Sequence, residues 1–323
     1  MAFSLCNTSI SHKLLLSEAK QANIESIVGS HCTSTEKTGD ADDLLPNLNQ
    51  HVYNTIIYAL FSWSLLISFA QIIFLVALLY NFGTVPIEYN PYLGPSISTL
   101  IRFGAKDAEL IINSKEYWRL ISAIMLHAGV YHLLGNVTLQ LIISGHLEHA
   151  WGIGTFATIY FSTGVVGYLS SCCCLYASVS VGSSGSIMGL LASWLVDIAF
   201  SLQKMRYERI VSAVTMRNQY IIFYSVMTAA AITLATSWNN GVDWASHAGG
   251  YLYGLIWGYV FFCDRQENEL AVLLPVDTLL GLDSRKKVVL RMAKMIAIIL
   301  IFCIPIALII FMIYFIQDVE INR

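Results

Sequence analysis

Val181-Gly182-Ser183-Ser184-Gly185-Ser186-Ile187-Met188-Gly189 sets serines among glycines at the mouth of an apolar run that continues through Leu190, Leu191, Trp194, Leu195, Val196, Ile198 and Phe200. The run is long enough to enter a membrane as a helix. A serine in the first turn of such a helix lies beside backbone N–H groups that have no intrahelical acceptor. Those groups and the positive end of the helix dipole are suited to hold an oxyanion. Gly185 and Gly189 form a GxxxG step that admits a second backbone. Alone, the stretch reads first as a small-residue packing seam that contains serines. Catalysis requires a base and further oxyanion donors from elsewhere in the chain.

The surroundings are those of a membrane protein. Hydrophobic residues make up 56% of the 323 and charged residues 12%, about half the charge of an average soluble domain. A net charge of −3 without a basic block argues against nucleic acid. Outward from the quoted stretch, apolar runs occupy roughly 55–80, 122–145, 154–176, 184–202, 219–237, 245–263 and 294–316, each about the 20 residues a spanning helix needs. Seven spans place the termini on opposite sides. Residues 1–52 form a polar tail without a signal-peptide or transit-peptide pattern, expected to be disordered and cytosolic, with Cys6 and Cys32 placed for lipidation. Residues 53–263 are expected to form the core, 264–292 a cytosolic linker, and 293–323 a seventh span with a short tail. Basic residues at Lys204, Arg206, Arg209 and Arg217, and again from Arg265 to Lys294, put those loops on the cytosolic side. The 81–118 loop opposes the trend with Arg102, Lys106, Lys115 and Arg119, accompanied by acidic residues. Cys172-Cys173-Cys174 lies in an apolar run, where thiols pack as small hydrophobes, and no disulfide framework is implied.

The orientation starts the helix of Ser184 and the helix of His247 on the same, non-cytosolic side. Gly250 and Gly254 give the second helix its own GxxxG face, which allows the two to press together. A serine becomes a nucleophile when an adjacent base takes its proton, and imidazole suits that task. A histidine snorkelling at the interface is the plainer reading of His247 taken alone. Asp243, one turn earlier, is read as an N-cap more readily than as a residue orienting His247. His132 and Asn136 share a helix face at i, i+4, with His127 just before them. Both can donate to an oxyanion. A metal site adding His146 and His149 is the rival reading, but the HxxH lacks a carboxylate in register, and no metal or other cofactor is expected.

In order along the chain stand Asn90-Pro91 and Leu93-Gly94-Pro95-Ser96, Gly104-Ala105-Lys106, Trp118-Arg119, His127, His132 and Asn136 as HxxxN, Leu147-Glu148 and Gly152, the GxSG of Gly182 to Gly185, and His247 with Gly250 and Gly254. Over roughly residues 85–263 this set resembles the rhomboid family of intramembrane serine proteases. The resemblance implies an all-α polytopic membrane protein, with a six-helix core and one extra C-terminal helix, the six-plus-one layout of eukaryotic secretory-pathway members. It implies Ser184 as nucleophile, His247 as general base, and an oxyanion site from His132, Asn136 and the Ser184 amide, with His127 in the same polar cluster. Trp118, Arg119, Glu148, Gly182, Gly185, Gly189, Gly250 and Gly254 would be structural. Substrates would be single-pass membrane proteins cut near the non-cytosolic edge of their transmembrane helix, in a secretory-pathway or plasma membrane. Partners would be those substrates and the lipid bilayer, with no nucleic acid; oligomeric state is left open. Met188 stands where the family often carries Tyr or Phe beneath the histidine, and Ser246 where alanine usually precedes it. The alternative is a catalytically inactive rhomboid-like protein that binds membrane clients; loss of the serine or histidine would mark it, and both are present. A transporter is the weaker third reading, for no discontinuous inverted repeat is visible.

Overall fold

In the computed structural model the described residues are 62–207, 213–239, 242–273 and 284–321. The tail and its cysteines, and the 52/53 boundary, lie outside them. Ten helices follow in order: α1 Trp63–Phe82, α2 Ile97–Arg102, α3 Ala108–Ile112, α4 Arg119–Met125, α5 Val130–Trp151, α6 Ile153–Cys174, α7 Ser184–Tyr207, α8 Ala213–Asn239, α9 Trp244–Leu273 and α10 Ser284–Ile321. The only bridge of β type among the described residues is an antiparallel pair, Lys106 with Ser180. The chain is an all-α polytopic membrane protein. Five helices are long and apolar enough to cross a membrane, and the bent pair α4 and α5 makes a sixth candidate. The helix α9 is long enough but falls short in hydropathy, because glycines, tyrosines and His247 dilute its apolar residues.

The 122–145 run departs from a continuous span. Helix α4 stops at Met125, α5 starts at Val130, and the two meet at 90°. Asn90 holds the bend open. Its amide donates to the carbonyls of Pro95 and Ala128 at 2.9 and 2.8 Å. Gly94 packs on the backbone of Ala128 and Gly129 so closely that a Cβ there would overlap it. Helical backbone also outlasts the apolar runs at the other end: α9 continues to Leu273 and α10 begins at Ser284.

Helix α7 is the centre of the bundle. In its most apolar window 67% of the residues are buried in the protein, against 17% for α8 and for α10, which therefore present most of their surface to lipid. The seam between α7 and α9 closes on small residues. A Cβ on Gly250 would overlap Gly185 O, one on Gly254 would overlap Gly189 O, and Gly258 lies on Ser193. The Ser193 hydroxyl donates to Gly254 O at 2.7 Å. This is association by backbone proximity, suited to a solvent that offers helices no hydrophobic drive to pair.

Elsewhere the bundle is joined by polar groups. Gln140 on α5 donates to Ser68 Oγ at 2.7 Å and accepts from the Tyr160 hydroxyl at 2.7 Å, while Gln71 on α1 reaches Tyr160 and Ile124 O. Gln140 thus belongs to a satisfied internal network linking α1, α4, α5 and α6, which relieves the cost of polar atoms at depth. Glu148, near the end of α5, accepts from the first amides of α1, Trp63 N at 2.8 Å and Ser64 N at 3.2 Å. A carboxylate there satisfies orphan donors and complements the helix dipole. Pro305 lies inside α10. It has no N–H for the carbonyl four residues earlier, that of Ile301, and the Tyr253 hydroxyl of α9 donates to that oxygen at 2.8 Å.

Candidate active site

Each part of the site comes from a different element. Ser184 opens α7, and its hydroxyl lies 2.7 Å from His247 Nε2, on the first turn of α9. Gly250, three residues past His247, seats on Gly185, one residue past Ser184, so backbone contact fixes serine and histidine relative to one another. The other ring nitrogen, His247 Nδ1, lies 2.7 Å from the hydroxyl of Ser237 near the end of α8. Ser246 fits the position before the histidine, buried with its hydroxyl between Gly167 and Gly185.

The segment ahead of the serine is pinned from several sides. Gly182 has φ +118°, a conformation that favours glycine. Its amide donates to Ala123 O at 2.8 Å, and the Tyr168 hydroxyl donates to its carbonyl at 2.6 Å. A Cβ on Gly182 would meet His132 Nε2 at 3.0 Å and Asn136 Nδ2 at 3.7 Å. The oxyanion candidates therefore face the backbone leading into Ser184. His132 Nδ1 accepts from Ala128 N at 3.4 Å, which leaves the proton on Nε2 and makes the edge towards Gly182 a donor. Asn136 spends one amide proton on His132 O at 3.0 Å and keeps the second.

A cavity of about 400 Å³ joins these groups, lined by His132, Asn136, Ser184 and His247 together with Met188 and Thr233. Met188 is buried. His127 lies in the bend rather than on a helix, and is not part of the cavity lining. It packs edge-on to His132 with ring centroids 5.3 Å apart. Among the described residues no group of three His, Cys, Asp or Glu side chains could hold a metal ion.

Asp243 does more than cap. It accepts from Ser246 N at 2.9 Å, as an N-cap does, and its second oxygen accepts from Ser171 and Ser180, both at 2.6 Å. This carboxylate ties the segment before Ser184 to α6 and α9. Lys106 ties the same segment to the first loop. Its backbone pairs with Ser180, and its buried ammonium donates to Leu175 O at 2.8 Å and Ser178 O at 2.9 Å. Burial lowers its pKa below the ordinary lysine value. Arg119 donates to Ile101 O at 2.6 Å and Ala105 O at 3.0 Å, pairs with Glu116, and lies 4.8 Å from the Trp118 ring. Ser237, Tyr168 and the acceptors of Lys106 escaped the sequence reading because their partners are 10 to 72 residues distant in chain order. The one available signal was a hydroxyl at the end of an apolar run, which is too common to select.

Comparison with known proteins points to one family. Residues 114–263 match the family model of the Rhomboid domain. The chain is 32% identical to RHOMBOID-like protein 1 of Arabidopsis thaliana over 58% of its length and 45% of that protein. It is 33% identical to RHOMBOID-like protein 6, mitochondrial, of the same plant, over 59% of each. To Rhomboid-like protease 2 of Toxoplasma gondii it is 31% identical, over 60% of this chain and 63% of that one. The chain thus spans less than two thirds of the length of these relatives.

Proposed function

Because the chain is a rhomboid-family protein, we propose that it is an intramembrane serine endopeptidase that cleaves single-pass membrane proteins. The observation that carries this reading is the 2.7 Å approach of Ser184 Oγ to His247 Nε2 at the N-terminus of the central helix. In the first step the hydroxyl proton passes to Nε2 while Oγ bonds to the scissile carbonyl carbon. The carbonyl oxygen, now carrying the charge, receives the first-turn amides of α7, His132 Nε2–H and the free proton of Asn136. The intermediate collapses as the imidazolium gives its proton to the leaving amine. Water, deprotonated by the same ring, then releases the acyl group. The polar wall of the cavity supplies a hydrated path to a serine below the membrane surface.

An intact transmembrane helix keeps its carbonyls in hydrogen bonds. Preferred substrates therefore carry Gly, Pro or small residues near the cut. Two relatives, both from Toxoplasma gondii, bear the name protease, which supports the reading. By loop charge the N-terminus lies in the cytosol and the cut faces the lumen or cell exterior, in a secretory-pathway or plasma membrane. One relative's name says mitochondrial, so microscopy of a tagged full chain tests the location. The chemistry is tested with a fluorophosphonate probe on detergent-solubilised protein. Wild type is expected to be labelled at Ser184, and His247→Ala to lose labelling. Folded wild type that takes no label would overturn the proposal.

A further inference from the structure

We propose that Ser237 is a positioning residue for His247, holding the imidazole in the tautomer and orientation in which Nε2 accepts the Ser184 proton. The inference rests on the serine-protease reading of the site. Ser237 is buried, and its hydroxyl donates to Thr233 O, one turn back on α8, at 2.5 Å. A hydroxyl has a single proton. With that proton on Thr233 O, the 2.7 Å contact with His247 Nδ1 has only one sense: Nδ1–H donates to Ser237. A neutral imidazole with its proton on Nδ1 carries its lone pair on Nε2, the nitrogen 2.7 Å from Ser184 Oγ. The chain of donors thus runs from Ser184 to His247 to Ser237 to the Thr233 carbonyl.

Other residues leave this task to Ser237. Asp243, the nearest carboxylate to His247 in the sequence, is occupied by Ser171, Ser180 and the Ser246 amide. Met188, on the α7 side, offers a thioether in place of an aromatic ring and so contributes no fixed face against which the imidazole lies flat. When Ser184 transfers its proton, the Nδ1–H bond stays in place and the hydroxyl oxygen stabilises the imidazolium. The bond also links the base to α8, a lightly buried helix, so the state of the base depends on where α8 sits.

The test is saturation labelling of the purified full chain in micelles with the fluorophosphonate probe. Four versions are compared: wild type, Ser237→Ala, Ser237→Thr and Ser237→Val. Thr and Val have the same shape and differ by the hydroxyl. Ser237→Ala and Ser237→Val are expected to lower the maximal labelling rate about tenfold, with the half-saturating probe concentration within about twofold, because the loss falls on proton transfer. Ser237→Thr is expected to recover most of that rate, and thermal melting should agree within a few degrees for Thr and Val. Equal maximal rates for the Thr and Val variants, or a wild-type rate for Ser237→Ala, would overturn the inference while leaving the protease reading intact. A wild type that never labels would overturn both.

Discussion

The two sides of the candidate site are built in opposite ways. Serine and histidine sit on a seam, α7 against α9, that closes with hardly a side chain between the backbones. The oxyanion candidates sit on α5, whose entry Asn90 ties to an irregular first loop. Side chains hold that loop in turn, Lys106 through two carbonyls of the segment before Ser184 and Arg119 through two of the loop's own. Backbone contact between glycines leaves little freedom, which suits a pair whose separation must hold to tenths of an ångström. Side-chain tethers yield more gradually. Damage to the seam should therefore be all-or-none, and damage to the loop should be graded.

The largest effect is expected at the seam. Gly250→Leu or Gly254→Val forces a side chain into the backbone of Gly185 or Gly189, a form of overpacking that costs about 3 kcal/mol or more. Thermal unfolding in micelles should fall steeply, and labelling at Ser184 should vanish. A control is available on α5, where a Cβ on Gly145 meets nothing within 4 Å. Gly145→Ala is expected to leave activity unchanged and to gain up to about 1 kcal/mol from helix propensity. Equal tolerance at both positions would break the contrast.

Next comes the loop. Lys106→Met keeps the stem and removes the donor to Leu175 O and Ser178 O. It should cost about 2 kcal/mol and slow labelling several-fold without abolishing it. Glu148→Ala removes the carboxylate that accepts from Trp63 N and Ser64 N. A loss of about 1 kcal/mol is expected, seen as faster amide exchange at the start of α1 with Ser184 still reactive. The smallest effect belongs to Tyr253→Phe. This frees the Ile301 carbonyl that Pro305 leaves open, and the cost of about 0.6 kcal/mol, typical of hydrogen bonds in membranes, should appear as easier proteolytic access to α10 with unchanged labelling.

The same contrast explains what the sequence made legible. Glycines at 185 and 189, and at 250 and 254, reveal the seam because a fixed i, i+4 spacing means one helix face whatever lies opposite. His132 and Asn136 were readable for the same reason. The first loop is different, since no local pattern announces the carbonyls that Lys106 and Arg119 reach. Counted as loop charges, they oppose the orientation drawn from Lys204 to Arg217. Neither is free at a surface: Lys106 is fully buried and Arg119 nearly so. The break at residues 126–129 was equally hidden, because the bend is imposed from Asn90 and Gly94 rather than by a proline or charge within the run. Ser237 lay beyond reach for the same reason: only the packing of α8 on α9 shows what it meets.

The most direct test of the central claim is release of an ectodomain in cells. A tagged single-pass protein with a Gly-rich luminal end to its transmembrane helix is co-expressed with wild type, Ser184→Ala or His247→Ala. The account predicts release with wild type alone, all three versions being present at similar levels in the membrane. Release that persists with Ser184→Ala would contradict the nucleophile. No release from any version, with the substrate co-precipitating with each, would contradict catalysis itself and leave a protein that binds membrane clients.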